Sequence, residues 1–107
     1  MYMDITLRDL EILTFYDSPQ LVLGKCEKGC NYLCLAYDLD NYLCVKVGEN
    51  DLLDFKEGKV DLLSLYINTE DGYYVGEFDI EGNLKLVIKL RTVSKAMLPE
   101  SGFYLKP

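Results

Sequence analysis

The stretch EILTFYDSPQLVLGKCEKGCNYLCLAYDLDNYLCVKV, Glu11–Val47, decides the fold. Short runs of alternating residues are broken here by Asp17-Ser18-Pro19, Glu27-Lys28-Gly29 and Asp38-Leu39-Asp40-Asn41. Such punctuation marks hairpins. The runs Glu11–Tyr16, Gln20–Cys26, Cys30–Tyr37 and Tyr42–Val47 therefore read as four consecutive antiparallel strands, a meander. Residues of one parity share a face of a strand. The odd positions carry Leu13, Phe15, Leu21, Leu23, Leu33, Leu35, Tyr37, Leu43, Val45 and Val47, an almost unbroken apolar face. Pairing Cys26 with Cys30 sets Leu23 opposite Leu33 and Leu21 opposite Leu35. Tyr37 opposite Leu43 sets Leu35 opposite Val45. A slip of one residue would turn each apolar set to the wrong face.

Downstream the pattern changes. Asn50 or Asp51 can cap a helix running to about Glu57 and stopped by Gly58, and Asp61 can cap a second, Leu62–Ile67. Their Leu52, Leu53, Phe55, Leu62, Leu63 and Leu65 would cover the odd face. Tyr73–Ile80 and Leu84–Val93 return to strand, and a Glu81-Gly82-Asn83 loop would align their apolar even positions. Thr6 with Asp9 three residues on is a weak helix start. The expected fold is a single α+β domain over residues 1–107: an antiparallel β-meander of about four strands, two short helices and a C-terminal β-hairpin.

The even face is semi-apolar. Cys26, Cys30, Cys34 and Cys44 lie on it with Tyr16, Val22, Tyr32, Ala36 and Tyr42. It must be covered by the terminal segments, the last hairpin or another chain. Four thiolates can hold zinc, but CEKGC and CNYLC lack the usual C-x2-C knuckle. Cys26 and Cys30 could meet as a cross-hairpin disulfide. Cysteine is also a small residue that favours burial. The expectation is four ordinary reduced thiols and no cofactor. Metal ligation by Cys26, Cys30, Cys34 and Cys44, or a small ligand on this Cys/Tyr face, is the alternative.

The 107 residues include 18 acids, 11 bases and no His, for a net charge of −7. Residues 1–81 carry −11, and residues 82–107, with Lys85, Lys89, Arg91, Lys95 and Lys106, carry +4. An acidic chain gains little from phosphates, which argues against nucleic acid. Lys85, Lys89 and Arg91 form a short basic stripe, too small to reverse that argument. Without His, imidazole chemistry is excluded. No P-loop, GxSxG, zinc-protease or C-x-x-C motif is present, and Asp38-Leu39-Asp40-Asn41 lacks the glycine and terminal glutamate of a calcium loop. The chain is expected not to be an enzyme. An N-terminus without a basic segment and apolar run, and no apolar stretch near the roughly 20 residues that cross a bilayer, lead to the expectation of a cytoplasmic protein off the membrane.

Tyr16-Asp17-Ser18-Pro19-Gln20-Leu21 resembles the Y-D-G-P-x-L opening of a small uncharacterised bacterial domain family of unknown function, and Leu98-Pro99-Glu100-Ser101-Gly102 resembles its closing L-P-x-x-G segment. Ser18 stands where that pattern has glycine. The resemblance implies no activity and no functional residue.

The expected function is a non-enzymatic protein-interaction module, an accessory or inhibitor protein acting on a larger bacterial or phage-related partner with a basic surface. A homo-oligomer stays open. Charge steers association and buried aromatics hold it. The expected partner-binding residues are therefore Tyr37, Asp38, Asp40 and Tyr42, aromatics beside acids at one hairpin end.

Overall fold

A computed structural model describes residues 2–69 and 71–105. Six strands, β1 (Tyr2–Tyr16), β2 (Ser18–Lys25), β3 (Asn31–Ala36), β4 (Tyr42–Val47), β5 (Tyr73–Phe78) and β6 (Leu84–Leu90), form a closed antiparallel barrel in chain order. Helices α1 (Glu49–Lys56) and α2 (Leu62–Ile67) lie between β4 and β5. Lys106, counted in the basic C-terminal segment, lies outside the described residues.

The open meander with a separate hairpin is thus overturned: β1 pairs with β6, and β4 with β5. The physical reason lies in the two apolar faces. One face of β2–β4 packs on the helices, where Leu21, Leu23, Leu33, Leu43, Val45 and Val47 meet Leu52, Phe55, Leu62, Leu65 and Tyr66. The other needs a second cover, and the sheet supplies it by rolling onto itself, which also removes its open edges. Leu7, Val22, Tyr32, Cys34, Tyr42, Cys44, Tyr74, Leu84 and Leu86 fill the interior so formed.

Of the register shifts in the barrel, two change where the chain or its side chains go. β1 is long enough to pair with β6 through Leu7 and with β2 from Arg8 onward, and it turns between them at a bulge after Arg8. Asp9 there has φ 54. The weak helix start at Thr6 is therefore strand. Opposite Val75 and Gly76 the register shifts, with Val87 the extra residue of β6, and this sends Leu90 to the helix-covered core and leaves Ile88 exposed.

The Leu23–Leu33 and Leu21–Leu35 register is as expected. The β3–β4 register is displaced by two residues, with Leu35 opposite Leu43 and Leu33 opposite Val45. The β5–β6 register is displaced in the same way: Phe78, not Ile80, faces Leu84. Loop chemistry explains both. A three-residue loop with a bulge wants a left-handed residue at its third position. Gly82, at φ 86, takes that place, so the loop is Ile80-Glu81-Gly82, closed by Asp79 N–H to Asn83 O at 2.8 Å. In β3–β4 the Asp38 carboxylate accepts from the Asp40 and Asn41 N–H groups, and Tyr37 N–H bonds Asn41 O. A shift of two leaves every face unchanged, so alternation could not detect it.

α1 starts at Glu49, with Gly48 rather than Asn50 or Asp51 as its N-cap. It ends in a glycine motif: Gly58 (φ 76) donates to Phe55 O, and Lys59 to Asp54 O. Asp61 caps α2 as expected, accepting from Ser64 N–H.

Candidate functional site

In an antiparallel barrel wound in chain order, the β1–β2, β3–β4 and β5–β6 connections all emerge at one end. Their tips share a composition: Tyr16-Asp17, Asp38-Leu39-Asp40 and Asp79-Ile80-Glu81. Leu39 is 98% exposed, Ile80 102%, Tyr16 78% and Phe15 65%. Five acids surround these side chains, and none of the three tips contains Lys or Arg. An apolar side chain fully in water stabilises nothing in its own fold.

The tips are held from beneath. Tyr42, buried at the head of β4, donates its hydroxyl to Pro19 O at 2.6 Å and packs edge-on against Phe78 at 5.4 Å. One tyrosine therefore joins all three hairpins. Within the tips, first-position aspartates do the ordering. Asp38 accepts from Asp40 N–H, Asn41 N–H and the Asn41 amide. Asp79 accepts from Glu81 N–H and Asn83 N–H, both at 2.9 Å. Donors around a carboxylate favour its charged form. The Asn41 amide, with the Asp40 and Asn41 N–H groups, holds the Asp38 carboxyl below its usual range, and the Asn83 and Glu81 N–H groups do the same at Asp79, helped by Lys85. What remains free to meet a partner is the apolar side chain and the second acid, Asp40 or Glu81.

The four residues expected to bind a partner are divided by this arrangement. Asp40 is exposed at a tip. The Asp38 carboxylate is engaged within its own loop. Tyr37 is half-buried and packs on the helix-covered core. Tyr42 is inside the barrel, and burial raises its phenol's pKa. The sequence reading passed over Leu39 as part of a turn and took Ile80 as the end of an apolar strand face. The signal for them is the acid–apolar–acid triplet in a loop, present at Asp38-Leu39-Asp40 and Asp79-Ile80-Glu81.

The cysteines fall into two pairs. Cys34 and Cys44 face each other across β3–β4 inside the barrel, fully buried, and burial pushes the Cys44 thiol well up. Cys26 and Cys30 are half-buried at the β2–β3 turn, at the opposite end from the tips. Among the described residues no group of three or more His, Cys, Asp or Glu is gathered for a metal ion. Tyr32 and Tyr74 pack edge-on at 5.7 Å within the same interior. The Cys/Tyr face is therefore the filled lumen of the barrel.

The basic stripe is partly committed: Lys85 lies 3.8 Å from Asp79, and Lys89 lies 3.7 Å from Asp71 and over the Tyr74 ring. An open cleft of about 630 Å³ beside the helices is lined by Lys46, Asp51, Ser64, Asn68 and Asp71 among others. A groove of about 490 Å³ between β1, β2 and α1 mixes Asp9, Glu11 and Glu49 with Lys25 and Lys56, and Lys56 bridges Glu11 at 3.2 Å. In the first cleft the Ser64 hydroxyl donates to Asp61 Oδ1 at 2.5 Å, within the cap of α2. No helix among the described residues is long and apolar enough to cross a membrane.

Comparison with known proteins places the chain by family alone. The model of DUF6575, a family of unknown function, matches residues 5–107, and the chain belongs to that family. No curated protein and no solved structure matches.

Proposed function

We propose that this family member is a protein-interaction module without catalytic activity, an accessory or inhibitor of a larger protein, which it engages through the three-hairpin end of the barrel. The observation that carries the reading is the display of Tyr16, Leu39 and Ile80 on three tips of one end, each beside acids. Single exposed apolar residues are ordinary on protein surfaces. Three at one end, on hairpins tied together by Tyr42, form a preordered set of anchors that loses little freedom on binding. The surrounding acids select a basic surface and speed its approach.

Capture from an extract of the source cell, with wild type beside Leu39→Asp/Ile80→Asp, tests this. Both substitutions sit on fully exposed side chains, so the fold should be unchanged by circular dichroism. Wild type should retain a basic protein that high salt releases, and the double variant should lose it. Equal retention by both, with loss only from a control carrying Leu53→Asp on α1, would move the interface to the helices.

A further inference from the structure

The end of the barrel opposite the tips carries a separate chemical feature. Cys26 and Cys30 flank the Glu27-Lys28-Gly29 turn. Cys26 N–H donates to Cys30 O at 3.0 Å, Gly29 N–H donates to Cys26 O at 2.9 Å, and Gly29 has φ 84. The two residues close the hairpin next to the Lys25–Asn31 pair, with one bond between them and the return bond made by Gly29. Opposed residues of an antiparallel hairpin have Cα atoms about 4.5–5.5 Å apart, inside the roughly 4.4–6.8 Å that a disulfide spans. Both side chains pack against the same barrel interior, so they share a face. Both are free thiols and both are partly accessible, unlike the buried Cys34 and Cys44.

We propose that Cys26 and Cys30 form a reversible redox site, a dithiol that small-molecule disulfides of the glutathione class convert to an intrachain disulfide. Cys26 is the attacking thiol. It borders a shallow groove of about 370 Å³ with Arg8, Lys25, Asp9, Glu27 and Gly29. Arg8 and Lys25 are a cross-strand pair, and Asp9 and Glu27 balance their charge in the same groove. What favours attack by Cys26 is its partial exposure at that groove beside the N–H groups of the turn. Burial raises the Cys26 thiol's pKa, but the N–H groups of Cys30 and Lys28 and the adjacent Cys30 thiol outweigh it and leave the group below its ordinary range.

The chemistry balances as two exchanges. The Cys26 thiolate attacks one sulfur of the external disulfide, a Cys26–S bond forms, and the other half leaves as a thiolate that takes up the proton Cys26 released. The Cys30 thiolate then attacks the Cys26 sulfur. The Cys26–Cys30 bond forms, and the second half leaves and takes up the proton from Cys30. Two protein thiols are oxidised by two electrons, and one disulfide is reduced to two thiols.

The full chain is equilibrated in mixtures of oxidised and reduced glutathione, acid-quenched, alkylated and mapped by mass spectrometry after digestion. The expected product has lost two hydrogens, is linked only between Cys26 and Cys30, and reverts in excess reduced glutathione. Cys30→Ser should instead accumulate glutathione on Cys26. Alkylation of native protein should modify Cys26 at least about tenfold faster than Cys34 or Cys44. Persistence of both thiols in fully oxidised glutathione, or a folded Cys30→Ser variant that takes up no glutathione at Cys26, would overturn the proposal.

Discussion

At the scale of single residues, the barrel interior is governed by small side chains. A six-stranded barrel is narrower than the eight-stranded kind whose lumen side chains just fill. Cys34, Cys44, Ala36, Gly24 and Gly76 offset the bulk of Tyr32, Tyr42 and Tyr74. A Cβ on Gly76 would stand 2.9 Å from the Cys44 sulfur, and one on Gly24 would stand 2.8 Å from a Leu10 methyl. Gly76→Ala should therefore destabilise by about 1–3 kcal/mol in urea unfolding. Combining it with Cys44→Ala should cost less than the two losses added, because the second change vacates the contested space. The aspartates at the tips give a second test. The hydrogen bonds they accept hold the carboxyls of Asp38 and Asp79 below the ordinary aspartate value of 3.8. A folded pKa below the unfolded one contributes stability that is present above the unfolded value. That contribution is lost as pH falls through the folded value. Amide exchange at Asp40, Asn41, Glu81 and Asn83 should thus accelerate, relative to the barrel strands, only below about pH 3.8. Asp38→Ala should show fast exchange at Asp40 and Asn41 already at neutral pH.

At the scale of elements, the parity of β2, β3 and β4 was readable and strand partners sometimes were not. Leu23 opposite Leu33 followed from the turn and from alternation together. At the Asp38 and Asp79 loops alternation allowed two registers with identical faces, and the choice lay with Gly82 and the aspartate carboxylates. The bulge at Asp9 and the shift at Val75–Gly76 left no mark in the pattern, because a bulge inserts one residue without changing composition. The barrel itself was not legible because β1 closes onto β6 through residues ahead of Glu11, where the sequence reading began its first strand. Asp61 illustrates the opposite case. Its cap of α2 was legible from spacing, but its second role was not: it also accepts from Gly102 N–H at 2.9 Å, while Leu62 N–H bonds Phe103 O. The capping aspartate thereby pins the C-terminal segment, whose Leu98, Phe103 and Leu105 pack on the helix-covered core. Asp61→Ala should lower the melting temperature and speed exchange at Gly102 and Leu62 together. Protection unchanged at Gly102 would mean that the segment is held by its apolar contacts alone.

At the scale of the whole molecule, charge and shape are arranged along the barrel. One end bears the three acidic, apolar tips, and the other bears the Cys26–Cys30 turn. The helices cover one flank and bury Tyr66, whose hydroxyl bonds Leu43 O at 2.6 Å between the two central strands. The acidity of the first 81 residues was legible from the sequence and pointed to the β3–β4 hairpin. Of the aromatics expected to anchor a partner there, Tyr42 is buried and bonded to Pro19 O, while Leu39 meets the solvent. The most direct test of the proposed docking end is the association rate of the captured partner over a salt series, with wild type beside Asp40→Lys/Glu81→Lys. The account predicts that at low salt the double variant associates about tenfold or more slowly, and that the salt dependence flattens, as expected when steering charge is reversed. An unchanged rate and an unchanged salt slope would contradict it.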